Sequence, residues 1–146
     1  MINHVWSVLC QNAVVDNETG SVSLINILET ITVFSEAKGE VKIPISYEIF
    51  SEWIREENNH PATGMMRLFF CNAQNECKHQ LELPIDLREH LFARTRIKLA
   101  GLTINGSGWY KFLVELKIDG SDKWELKASL PLMVVFASES EEKLNN

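Results

Sequence analysis

Cysteine, histidine and carboxylate are the side chains from which chemistry could be built in this 146-residue sequence. The cysteines are Cys10, Cys71 and Cys77, an odd number with no Cys-x-x-Cys spacing, so a four-cysteine zinc ribbon is excluded. Cys71 and Cys77 bracket the turn-rich run Asn72-Ala73-Gln74-Asn75-Glu76 and would face each other across a hairpin. That placement leaves a redox disulfide open. The plainer reading is two free thiols acting as small boundary hydrophobes in a reducing compartment. The four histidines, His4, His60, His79 and His90, include no pair at i, i+2 on a strand or at i, i+4 on a helix. A nucleophilic pair of Cys71 or Cys77 with His79 or His90 would need a third, orienting group, and the sequence supplies none. No catalytic residue, metal ligand or cofactor is therefore assigned.

Asp16 with Glu18, and Asp119 with Asp122, invite comparison with calcium loops. Calcium takes six to eight oxygens, however, and aspartate at a turn is explained by its hydrogen bonds to the turn backbone. Asn105-Gly106-Ser107-Gly108 resembles a phosphate cradle only briefly, because Trp109 and another strand-like run follow where a P-loop has Lys-Ser or Lys-Thr and a helix. Arg94, Arg96 and Lys98 alternate as a basic stripe with no interleaved aromatic. They read as a solvated outer face that discourages edge pairing. Two aromatic groups remain. Trp53 and His60, beside a polar loop, would suit a stacking platform for a small molecule or sugar. Trp109 falls on the strand face opposite Tyr110, Phe112 and Val114, together with Leu113; Met133 and Val135 lie on the equivalent face of the next strand.

The elements that must position these groups show a hydrophobic period of two. Tyr110, Phe112, Val114, Leu116 and Ile118 alternate with a mixed set, and Trp124, Leu126, Ala128, Leu130, Leu132, Val134 and Phe136 repeat the pattern. Asp119-Gly120-Ser121-Asp122 between them predicts a hairpin. Strand-like runs also occupy positions 4–15, 22–28, 31–34, 41–49, 65–71, 77–83 and 94–104, with residues 31–34 either extending the run before them or standing alone. Gly20 supplies the left-handed residue for the first turn. Pro44 predicts an edge or a bulge. Asn58-Asn59-His60-Pro61 predicts a loop, and residues 84–91 the single short helical turn. The expected fold is all-β: one antiparallel sandwich, immunoglobulin- or fibronectin-like, of about eight strands over residues 1–137. Residues 138–146 form a polar, acidic tail expected to fray.

Hydrophobic residues make up 45% of the chain and charged residues 23%, both ordinary for a globular domain. A net charge of −6 argues against nonspecific nucleic-acid binding, which needs clustered Lys and Arg. No apolar run approaches the roughly 20 residues that span a bilayer. The start, Met1-Ile2-Asn3-His4, lacks a basic n-region, so a cytoplasmic location is expected and the Asn-x-Ser/Thr patterns at Asn17 and Asn105 are idle.

Short motifs spread along the chain carry a resemblance. They are Val5-Trp6-Ser7-Val8-Leu9-Cys10, Asp16 to Gly20 followed by Ser23-Leu24-Ile25-Asn26-Ile27-Leu28-Glu29, Leu102-Thr103-Ile104, Gly108-Trp109-Tyr110-Lys111-Phe112 and Leu130-Pro131-Leu132-Met133-Val134. Together they resemble an uncharacterised, mostly bacterial family of small β-sandwich proteins defined only as a domain of unknown function. The resemblance implies the fold and brings no activity and no site residue.

Two apolar faces on the 108–118 strand call for a second cover, since a contiguous exposed apolar patch marks an interface. Either a partner covers Trp109, Leu113, Met133 and Val135, or the domain's own loops do. The leading expectation is a noncatalytic module that associates with itself or another protein. A small-molecule or carbohydrate module at Trp53 and His60 comes second, and a metal- or Cys/His-dependent enzyme third.

Overall fold

A computed structural model describes residues 1–35, 39–56 and 60–137. Among the described residues nine strands form two sheets. They are β1 (Ile2–Val15), β2 (Val22–Ile27), β3 (Thr30–Phe34), β4 (Glu40–Arg55), β5 (Ala62–Cys71), β6 (Cys77–Leu87), β7 (Phe92–Asn105), β8 (Gly108–Ile118) and β9 (Glu125–Ala137). The four-stranded sheet runs β2-β1-β4-β7 and the five-stranded sheet β3-β9-β8-β5-β6. The expected tail at 138–146 and the loop residues Asn58 and Asn59 lie outside the described residues.

The chain is all-β, as its period predicts, and the hairpins at 16–21, 72–76 and 119–124 form where the turn residues stand. Gly20 takes the left-handed conformation, φ 73°, while the Asp16 carboxylate accepts the Glu18 and Thr19 amides at 2.8 and 3.0 Å. Pro44 coincides with a bulge between Ile43 and Ser46, beyond the stretch of β4 that pairs with β1.

Three expectations need correction. Residues 84–91 hold no helical turn, and no helix occurs among the described residues. Ile85 and Leu87 are buried while Pro84 and Asp86 face outward, so period two carries β6 through to Leu87 before the chain bends. The sheets are not purely antiparallel, because β3 pairs parallel to β9, Ile31 beside Val134 and Val33 beside Phe136. The chain crosses between sheets within two residues: the Leu28 amide bonds Leu9 in one sheet, and the Glu29 carbonyl accepts the Met133 amide in the other. Residues 31–34 are thus a separate, ninth strand. Finally, Trp124 and Leu126 leave the core face. Val114 pairs Ala128 but Glu115 pairs Leu126, so the extra residue Lys127 reverses the alternation.

The core lies between the sheets. Leu9, Ile49, Trp53 and Ile97 meet Met66, Leu68, Phe112, Val114, Leu132 and Val134. Tyr110 is buried too, and its hydroxyl accepts the Asn105 amide and donates to the Gly106 carbonyl, both at 2.9 Å, which fixes the β7–β8 turn. A smaller cluster of Cys10, Ala13 and Phe50 packs with Trp6, Val8, Val22 and Leu24. Phe50 and Trp6 stack at 5.6 Å. Past Cys10, β1 leaves β4 and pairs only with β2.

Candidate functional site

The cysteines depart from the free-thiol expectation. Cys71 and Cys77 are opposite residues of the β5–β6 hairpin, and a disulfide joins them, Cα atoms 4.0 Å apart. Cys71 is buried and Cys77 exposed. Cys10 is free and buried, and burial raises its thiol pKa, so it is not a ready nucleophile. Among the described residues no group of three His, Cys, Asp or Glu could hold a metal ion.

The histidines are dispersed. His79 lies 3.6 Å from Glu82 and edge-on to Phe69. His4 contacts Ser7 Oγ at 2.7 Å, and Ser7 Oγ lies 2.6 Å from Ser51 Oγ. Burial first, and Lys127 second, lower the His4 pKa. The imidazole packs edge-on to Trp53, 5.1 Å between ring centres. This Ser–His contact is a half-buried polar bridge between β1 and β4. Among the described residues no carboxylate is hydrogen-bonded to it as the orienting group of a catalytic triad would be.

Both arginines of the basic stripe are ion-paired rather than simply solvated, while Lys98 is exposed. Arg94 Nε meets Glu52 at 3.4 Å. Arg96 Nε donates to Glu48 Oε1 at 2.6 Å, and its Nη2 reaches Glu48 Oε2 at 3.2 Å and the Ala13 carbonyl at 2.5 Å. The Ala13 amide donates to the same carboxylate at 2.5 Å. The Arg96 guanidinium holds Glu48 below the usual carboxylate range, although burial opposes it. Glu48 and Arg96 thus clamp the far half of β1 onto the four-stranded sheet. Sequence alone shows Arg96 but not its partner 48 positions earlier.

The stacking platform also needs correction. Trp53 is 0% exposed, with its indole N–H donating to Thr95 Oγ1 at 3.0 Å, whereas His60 is exposed. A buried ring offers no face to a sugar. Its parity with Tyr47 and Ile49 on one strand was the available signal.

On the outer face of the five-stranded sheet, Trp109 stands beside Met133, which stands beside Thr30 of β3. Trp109 is 60% exposed, and Val135 and Phe34, further along the same face, are 40% and 47% exposed. Leu113 does not join them. It lies four residues along β8, between Phe69 and Ser129, with Lys111 and Pro131 intervening. Arg67 continues this face, stacked 4.1 Å over Trp124 and 4.9 Å from Phe69, with Glu115 at 2.9 Å.

A second feature went unread in the sequence. Strands β6 and β7 end their sheets and are joined through the bend at 88–91. Toward Cys77 and Asn105 they enclose a cleft of about 560 Å³. Tyr47, Phe70 and Tyr110 lie at its apolar side, residues 100–105 along one wall, and Glu76, Lys78 and Gln80 along the other. Tyr47 donates its hydroxyl to the Gly101 carbonyl at 3.1 Å, and burial pushes its pKa up to about 12. Gly101, at φ 82°, takes a bulged conformation that a side chain would resist. The glycines at 101, 106 and 108 were the only hint of this edge. Comparison with protein-family models and with curated proteins gives no match, so function must be argued from this geometry.

Proposed function

We propose that this chain is a noncatalytic interaction module that associates with a second copy of itself through the outer face of β3, β9 and β8. The observation that carries the reading is Trp109, 60% exposed and bordered by Met133 and Val135, with Phe34 further along the same face. Aromatic anchors in small apolar patches are the groups that dominate protein contacts. Light scattering after size exclusion tests it: the wild type runs as a dimer and Trp109→Glu as a monomer. A monomeric wild type at tens of micromolar overturns the reading.

The fold reading that accompanies it is a single immunoglobulin-like sandwich. The orders β1-β4-β7 and β5-β8-β9 parallel the A-B-E and C-F-G orders of such domains, and Tyr110 bonds back across its corner as their strand-F tyrosine does. Two departures stand: the disulfide lies within one sheet, and the buried Trp53 is on β4 rather than β5. The bacterial family resemblance belongs to the same proposal. Its motifs fall mainly on β1, β2, β7, β8 and β9. A cytoplasmic location is likewise proposed; the Cys71–Cys77 bond weighs against it, since disulfides persist chiefly in oxidising compartments. No helix among the described residues is long and apolar enough to cross a membrane.

A further inference from the structure

We infer that the cleft between β6 and β7 is a peptide-binding groove that takes an extended segment as an added strand along residues 102–105 of β7. Side chains alternate along a strand, so a cleft touching one face meets every second residue. This cleft is lined by six consecutive residues, Ala100 to Asn105. It therefore runs along the strand's edge, where main-chain groups rather than one row of side chains are presented. β7 pairs with β4 on one side and ends its sheet on the other. The Gly101 bulge interrupts the edge, leaving Leu102 to Asn105, about 13 Å of ladder at 3.3 Å per residue.

The lining specifies the occupant. Both tyrosine hydroxyls are already engaged within the domain, and both rings are buried, so neither a stacked sugar nor a ligand seeking phenol contacts is favoured. The same bonds occupy the Gly101 carbonyl and the Asn105 amide, so what remains is the strand backbone between them, chiefly the main-chain groups of Thr103 and the Asn105 carbonyl, together with the apolar side formed with Phe70 and rims carrying both charge signs, Glu40 and Lys42 on one side and Glu76 and Lys78 on the other. An added strand sends alternate side chains to opposite faces. Its inward residues must be apolar and its outward residues polar, of mixed charge. Strand addition draws affinity from main-chain hydrogen bonds and specificity from the alternate side chains. This groove is separate from the Trp109 face, and neither reading depends on the other.

The test titrates the peptide Ac-Val-Lys-Val-Glu-Val-NH2 into the full chain, carrying Trp109→Glu, and follows backbone amide shifts. Saturable shifts are expected at residues 102–105, with slowed hydrogen exchange at the Thr103 amide, whose neighbours 102 and 104 point to β4 and whose neighbour Asn105 is held by Tyr110, and with shifts at Phe70 and Lys78. Methylating the central valine nitrogen should weaken binding about tenfold, the effect of one or two lost hydrogen bonds. The same titration of the wild type should give the same shifts. The inference is overturned by no saturable shift at millimolar peptide, by equal binding of the methylated peptide, or by shifts centred elsewhere. Concentration-dependent protection of the Thr103 amide without peptide overturns it too, since a second copy would then be the occupant.

Discussion

The two sheets treat their outer faces differently. On the four-stranded sheet, the far half of β1 and all of β2 form a ribbon that buries Cys10, Ala13 and Phe50 with Trp6 and Leu24, and Glu48 and Arg96 pin it down. On the five-stranded sheet, Trp109, Val135 and Phe34 meet no such ribbon among the described residues. Both faces look alike in sequence, since each mixes aromatics with charges at alternate positions. A face with apolar residues thus has two solutions, cover by the chain itself or cover by something else, and among the described residues the first is found on one side only.

The largest effect that would break the comparison is expected at Phe50. Phe50→Ala empties the centre of the covered face and should cost about 4 kcal/mol in urea unfolding, the usual loss for a buried phenylalanine. A loss near 1 kcal/mol would mean that the ribbon is not tightly packed and that the two faces do not differ in kind.

Next comes the clamp. Arg96→Met leaves the Glu48 carboxylate, 4% exposed, without its cation and should cost about 3 kcal/mol at neutral pH. Pairing it with Glu48→Gln should recover part of that loss, because the uncompensated charge is gone. The pH dependence has a definite sign. The folded Glu48 pKa lies below its ordinary value of 4.5, chiefly through the Arg96 hydrogen bond. Its contribution is therefore complete above pH 4.5 and is lost as pH falls through the folded value. In Arg96→Met burial is opposed only by the Ala13 amide and the charge of Lys98, so acid neutralises a poorly compensated charge. The stability gap between wild type and variant should narrow below pH 4.5, and a gap unchanged down to pH 3 would show that Glu48 is not the group responsible.

How much of this was legible follows from range. The period-two runs and the hairpin turns at Asp16–Gly20 and Asp119–Asp122 are local, and they read correctly. The parallel pairing of β3 with β9 joins residues about 100 positions apart, and no alternation pattern specifies a partner. Glu48 and Arg96 meet for the same nonlocal reason. Trp124 and Leu126 were misplaced because one inserted residue, Lys127, reverses every side chain beyond it, and a bulge has no compositional mark when it is not glycine. Trp109, Met133 and Val135 do adjoin as alternation predicts, whereas Leu113 shares their face but not their end of it. The cleft was illegible because it depends on which strands end their sheets, a property of topology rather than of any segment.

The smallest stability effect is expected at Trp109, and it decides what covers that face. A side chain 60% exposed has little packing to lose, so Trp109→Ala should leave the unfolding free energy of the dilute monomer within about 0.5 kcal/mol of wild type. A second copy that binds only the folded state adds stability in proportion to the logarithm of protein concentration. The wild-type melting temperature should accordingly rise with concentration, and that of Trp109→Ala should not. Two slopes of zero would exclude the second copy, while a loss near 2 kcal/mol in dilute solution would show that the domain's own chain covers Trp109 after all.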